Sequence, residues 1–226
     1  MTQLVLASRS PQRRAILEQL GVAFDVVVSD AEELSGGSDP VAVAVENARR
    51  KAQAVWRAGP ADPARPDDPA GQPRESSSPA PPARSAATAD AASPWSPLSL
   101  PVVGVDTLVT LDGALYGKPA DAAAARDTLS RLSGRTHEVV SGVAVVEAGE
   151  TRTASATTRV AFRALGAETL DWYLATEEWR ERAGGYAIQG RGAALVQRIE
   201  GDYLNVVGLP VQALLGLLPG ILHGAS

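Results

Sequence analysis

The sequence predicts an α/β protein with a mixed central β-sheet and flanking helices. Short apolar runs of strand length alternate with segments of helical period. Some of these runs are joined by tight turns, which favour antiparallel neighbours, while others are separated by a helix, which favours parallel ones. A sheet that contains both is mixed. The chain has 226 residues, 45% of them hydrophobic, which is ample for a buried core.

Leu4–Ala7 is the first apolar run. Ser10 and Pro11 then supply a cap and a first-turn proline for a helix whose Ile16, Leu17 and Leu20 share one face, and Gly21 ends it. Phe24–Val28 reads as a second strand, and Asp39-Pro40 opens a helix reaching about Arg57. Val102–Leu111 is a buried strand that runs into an Asp112-Gly113 hairpin turn. Asp121 caps a helix that Gly134 ends, and His137–Val146 and Thr157–Phe162 form a strand pair. A helix over Glu168–Glu178 and a strand over Ala193–Ile199 follow. From Tyr203 to Leu222 the pattern is strand, turn and helix, with the last helix over Pro210–Leu218. Asn205, Pro210, Gly216 and Pro219 interrupt that stretch too often for a membrane span.

Eleven of the sixteen prolines fall between Pro60 and Pro101, among Ala, Ser, Asp and Arg. Such a segment buries too little apolar surface to offset its ordering entropy. The expectation is therefore one domain over 1–226 carrying a Pro/Ala/Ser-rich, disordered insertion at about 59–100.

Composition narrows the chemistry. There is no cysteine, so disulfides and thiolate metal sites are excluded, and His137 and His223 alone give little basis for a zinc site. A metal would have to be held by oxygen, which favours magnesium or manganese, cations that commonly accompany phosphate substrates. A net charge of −5 argues against stable binding to nucleic acid or anionic membrane. Leu4–Ala7 turns polar too soon for the core of a signal peptide, so a cytoplasmic location is expected.

Six segments carry candidate site residues. The loop Ala7-Ser8-Arg9-Ser10-Pro11-Gln12-Arg13-Arg14 joins a strand to a helix N-terminus, where unpaired N–H groups and the helix dipole seat an anion. Arginines in a first turn oppose that dipole by roughly 0.3–1 kcal/mol each, so Arg13 and Arg14 either await a phosphate or are solvated surface charges. Asp30-Ala31-Glu32-Glu33 is an acidic turn at a strand end. Asp106 lies in the middle of an apolar strand, where a carboxylate must be hydrogen-bonded, coordinated or used as a base. If Glu33 and Asp106 converge to about 4 Å, their repulsion is about 4 kcal/mol at an effective dielectric of 20, which a divalent cation would reverse. Lys51 sits beside the small-residue stripe Ala44, Ala48, Ala52 and Val55, facing the sheet. Lys118, in Gly117-Lys118-Pro119, is either a flexible turn lysine or one aimed at a phosphate. In Arg182–Gly192 four glycines let backbone approach a ligand, and Tyr186 and Gln189 could read a base, although a pair of tight turns is an equal reading.

Taken in order, these blocks resemble the Maf family of nucleoside triphosphate pyrophosphatases, also called septum-formation-inhibitor-like proteins. The likeness rests on Leu-Ala-Ser-x-Ser-Pro-x-Arg at 6–13, Glu33, Lys51-Ala52, Gly104-x-Asp106-Thr107, Lys118-Pro119 and Ser133-Gly134-x-Thr136-His137-x-Val139. It ends in Ala183-Gly184-x-Tyr186-x-Ile188-Gln189-Gly190 and Val207-Gly208-Leu209-Pro210. The resemblance implies two lobes around a cleft, as in the inosine triphosphatase architecture, and a homodimer. It implies Asp106 as proton acceptor, Glu33 and Asp106 as ligands of a divalent cation (Mg2+ or Mn2+), and Ser8, Arg13, Lys51 and Lys118 as phosphate binders. Gln12, Thr107 and Gln189 fall at the positions that shape base choice. Thr107 and Gln189 match the dTTP/UTP branch, while Gln12 stands where that branch has arginine. The implied reaction is hydrolysis of the α–β phosphoanhydride to a monophosphate and diphosphate, acting on dTTP, UTP and modified nucleotides. The alternative is a non-hydrolysing nucleotide-binding regulator of septum formation, for which Asp106 would be dispensable.

Overall fold

Because every second residue of a strand faces the same way, the first core strand sends its side chains to two different helical layers, and the rest of the architecture follows from that division. The computed structural model describes residues 3–59 and 100–223. The expected insertion at about 59–100 therefore lies almost wholly outside the described residues.

Strand β1 (Leu4–Ala7) leads into α1 (Pro11–Gln19) and back to β2 (Phe24–Val26), which pairs parallel with β1. Helix α2 (Pro40–Ala58) precedes β3 (Val102–Leu111), which pairs parallel with the other side of β1. The Asp112-Gly113 turn returns β4 (Ala114–Tyr116) antiparallel along β3. After α3 (Ala122–Leu132) come β5 (Thr136–Glu147) and β6 (Glu150–Phe162), then α4 (Ala167–Leu174), β7 (Val196–Glu200), α5 (Tyr203–Val207) and α6 (Val211–Leu217). The result is a seven-stranded mixed sheet of order β2-β1-β3-β5-β6-β7, with β4 on β3. The α/β class with a mixed sheet and flanking helices is as expected.

Local chemistry fixes the helix starts. Asp39 accepts from the amides of Val41 and Ala42, Asp121 from Ala124, and Ser10 from Arg13, each satisfying donors that the first turn leaves unpaired. On one sheet face Leu4, Leu6, Val103, Val105, Val143 and Val145 pack against Ile16 and Leu17 of α1 and Leu214 of α6. On the other, Val5, Ala7, Val102, Ala144 and Val146 pack against Ala48, Ala52, Val55 and Trp56 of α2. A third cluster joins α3 and α4 to the far ends of β3, β5 and β6 through Leu129, Val139, Val160, Phe162 and Tyr173.

Five expected elements differ in kind or by two residues or more, the first being β2, which stops at Val26 rather than Val28 because β1 pairs with it no further. β6 begins at Glu150 rather than Thr157, because residues with no apolar alternation pair with β5 along its whole length, from Glu147↔Glu150 onward. α4 stops at Leu174, whose carbonyl accepts from the Trp179 indole at 3.2 Å, and Glu177 turns left-handed at φ 58°. Residues Arg191–Leu195 form a 3-10 turn, so the strand expected from Ala193 starts at Val196. Tyr203–Val207, expected as a strand, is helix α5, because Asp202 caps it by accepting from the Leu204 amide at 2.8 Å. No helix among the described residues is long and apolar enough to cross a membrane.

Helix α2 lies unusually close to the sheet, and two glycines allow it. A Cβ on Gly142 would meet Ala44 backbone at 2.4 Å, and one on Gly104 would meet the Ala48 carbonyl oxygen at 2.2 Å. Gly142→Ala is accordingly expected to cost about 1–3 kcal/mol or more by driving α2 off β5, read by urea denaturation.

His137 is 1% exposed, with Nε2 2.9 Å from the Tyr186 hydroxyl and its ring edge-on to Phe162. Burial pulls its pKa down from 6.5 to about 4. The unfolded chain therefore binds the proton first. His137 contributes stability that is fully present above pH 6.5 and is lost as pH falls through about 4, amounting to about 3 kcal/mol. Denaturation curves across that window should slope down with acid in the parent and flatten in His137→Gln.

Candidate active site

All nine candidate residues line one cavity of about 770 Å³, beyond the end of β1 and beside the middle of β3. The alternation along β3 explains how one strand serves two walls. Val102, Gly104 and Asp106 face α2, while Val103, Val105 and Thr107 face α1.

On the α2 wall, Asp106 is 5% exposed. Its Oδ1 accepts from Lys51 Nζ at 2.6 Å and its Oδ2 from Asn47 Nδ2 at 2.9 Å. The same Lys51 ammonium lies 2.7 Å from Glu33 Oε1. Glu33 and Asp106 are thus brought together from an early loop and a mid-chain strand, and their shared partner offsets the repulsion. Lys51 comes from the sheet-facing side of α2 as its spacing required, and also approaches the Val105 carbonyl at 3.5 Å.

On the α1 wall, Arg13 turns inward. Its Nε donates to the Gly208 carbonyl at 2.8 Å, Nη1 to Ser8 Oγ at 2.9 Å and Nη2 to Thr107 Oγ1 at 3.2 Å. Burial lowers the Arg13 pKa, opposed by the charges of Asp106 and Glu33. All three acceptors are neutral, so the buried positive charge faces the cavity with no carboxylate bonded to it. Gly208 presents its carbonyl at φ 128°, a backbone region that side chains disfavour. Arg14, paired with Arg13 in the sequence reading, does not line the cavity, and its Nε is buried without a hydrogen-bond partner.

Two other expectations change in detail. Lys118 reaches the rim, but its ammonium is bonded to Glu181 at 2.9 Å in an exposed pair. Tyr186 lines the cavity, but its hydroxyl is bonded to His137 in the core and so is not free to read a base edge. Burial raises the pKa of that hydroxyl. Of the base-choice positions, Gln12 accepts from Ser10 Oγ at 3.1 Å, and Thr107 Oγ1 is shared among Arg13, Ser141 Oγ at 2.9 Å and the Gly208 carbonyl at 3.4 Å. Gln189 is exposed at the cavity wall.

Asn47 and Ser141 were missed from the sequence, and Gly208, quoted within the Val207–Pro210 block, was given no role in the site. Asn47 had a signal: it precedes Lys51 by one helical turn, and a polar residue there shares the sheet-facing stripe. Ser141 had none, because its role depends on lying opposite Thr107 in the β3–β5 register.

Lys51 is the counter-charge of a carboxylate that is otherwise buried. Lys51→Met should destabilise the fold by about 3–5 kcal/mol in chemical denaturation, and adding Asp106→Leu should recover part of that loss.

A profile of the Maf-like protein family matches residues 3–221. The chain is similar to the dTTP/UTP pyrophosphatase of Pyrococcus furiosus, 35% identical over 96% of this chain and 95% of that one. It is 39% identical to the dTTP/UTP pyrophosphatase of Bacillus cytotoxicus, over 100% of this chain and 99% of that one. With that of Symbiobacterium thermophilum the identity is 40%, covering 96% and 93%. Family match and relatives span both halves of the sheet and the cavity between them, and the chain belongs to the Maf-like protein family.

Proposed function

We propose that this chain is a nucleoside triphosphate pyrophosphatase that hydrolyses the α–β phosphoanhydride, favouring dTTP and UTP as its relatives' names describe. One observation carries the reading: a buried carboxylate, Asp106, is held on both oxygens at the floor of a cavity whose opposite wall is the buried guanidinium of Arg13.

Asp106 is the proton acceptor for the attacking water. Its two hydrogen bonds fix its orientation, so little rearrangement is needed as the proton transfers. Arg13, Lys51 and Ser8 receive phosphate oxygens, and Arg13 keeps its charge available because its protein partners are neutral. Lys118 joins them by leaving Glu181; an exposed pair of this kind is worth only about 0–1 kcal/mol, so the exchange costs little. Gln12, Thr107 and Gln189 shape base choice. Thr107 does so through Arg13, since its hydroxyl is already engaged, and Gln189 directly.

The donor set suits a hard divalent cation. Glu33 and Asp106 are two carboxylates close enough to share one ammonium, and magnesium or manganese is commonly held by one or two carboxylates together with substrate phosphates. When bound there, such a cation would polarise the phosphate oxygens and offset charge on the diphosphate leaving group.

The proposed substrate class supports a cytoplasmic location, where nucleoside triphosphates are held, and family likeness supports a homodimer. Residues on both sides of 59–100 share one sheet, which supports a single domain interrupted there.

Purified protein incubated with canonical and modified triphosphates plus magnesium or manganese should release diphosphate and monophosphate, with dTTP and UTP cut faster than purine triphosphates. Chromatographic detection of orthophosphate with a nucleoside diphosphate would refute the bond assigned. Asp106→Asn should lower kcat by about 10²- to 10⁴-fold.

A further inference from the structure

The loop between β2 and α2 has no regular secondary structure, yet Glu33 within it must meet Asp106 from the middle of the sheet. Besides Lys51, which bridges the two carboxylates, one side chain ties the loop backbone to Asp106. Asn47 is 1% exposed, and its amide is used on both sides. Oδ1 accepts from the Leu34 amide at 2.7 Å, while Nδ2 donates to the Leu34 carbonyl at 3.1 Å and to Asp106 Oδ2 at 2.9 Å. The first two bonds mimic a strand pairing and fix the backbone directly after Glu33. The third orients the carboxylate from the side opposite Lys51.

We infer that Asn47 is a positioning residue that locks the Glu33 loop and Asp106 into one unit, so that the acidic half of the site is assembled before substrate arrives. Only an amide can do this: it needs an acceptor for the Leu34 N–H and two donor hydrogens for the Leu34 carbonyl and Asp106. Aspartate keeps the shape and the acceptor but presents a like charge to Asp106. Alanine keeps neither. Lys51 cannot substitute, because it bonds the side-chain carboxylates of Glu33 and Asp106 and not the loop backbone.

The functional consequence rests on the pyrophosphatase reading, but the clamp itself is tested without it. In the full chain, hydrogen exchange at the Leu34 amide should be protected in the parent and lose protection in Asn47→Asp and Asn47→Ala. Retained protection in Asn47→Ala, with the fold intact by circular dichroism, would overturn the clamp. In turnover of dTTP or UTP, both variants should lower kcat about tenfold to a hundredfold, the range typical of groups that orient a site's ligands, with KM changed less than about threefold. Global loss of folded protein would instead scale the apparent kcat with the folded fraction, so rates are normalised to that fraction; unchanged normalised kcat in Asn47→Asp would overturn the positioning role. A parent that releases no diphosphate would count against the pyrophosphatase reading, while the exchange result would still decide for or against the clamp.

Discussion

The structure depends on how it accommodates a carboxylate in the middle of an apolar strand. Asp106 cannot be buried alone, because desolvation would cost several kcal/mol without compensating bonds. Its partners must come from outside the sheet, and α2 supplies them. The helix approaches closely enough only because Gly104 and Gly142 leave flat backbone beneath it, with Ala44, Ala48 and Ala52 as its own small contacts. The same glycines that bring α2 down therefore bring Lys51 and Asn47 within hydrogen-bonding distance of Asp106. Packing and site are one constraint, and a bulkier residue at either glycine would strain both.

The strand's alternation distributes the chemistry. Asp106 and Thr107 are adjacent in sequence but face different helices, so the middle of one strand carries a negative group toward α2 and a hydroxyl toward α1. On the α1 side, Arg13 is held by a backbone carbonyl and two hydroxyls, which orient its charge without neutralising it. The cavity is thus polarised, with a paired acidic floor on one side and, on the other, a cation bonded only to neutral groups. That asymmetry is what an anionic substrate that must also meet a base would need.

Rigidity follows the same division. The floor is built mainly from buried bonds between elements far apart in sequence, with Asp106 held from α2 on both oxygens. The rim is built from exposed pairs, Arg9–Asp30 and Lys118–Glu181, each in solvent and each weak. A ligand can exchange those pairs without disturbing Asp106.

Much of this was legible in the chain. Periodicity gave the order of nearly every element, and Asp39, Asp121 and Ser10 announced their helices because capping is a local interaction. The extension of β6 was not legible, since residues Thr151–Thr157 carry no alternation and are held in the strand by backbone bonds to β5. Helix α5 was mistaken for a strand because its apolar run is too short to display a period, and only the Asp202 cap distinguishes it. For the site, the types and spacing of Glu33, Lys51 and Asp106 were informative because a buried charge demands an explanation wherever it occurs.

The sequence by itself determined the class of fold, the candidate residues that line the cavity and the absence of any thiolate ligand. Tertiary structure alone decided that Lys51 stands between two carboxylates, that Arg13 points inward and Lys118 outward, that Tyr186 turns its hydroxyl to His137, and that Asn47 joins a loop to a strand. The reason is physical: those outcomes depend on distances between segments tens of residues apart, which are set by sheet register and helix approach rather than by any local preference of the chain.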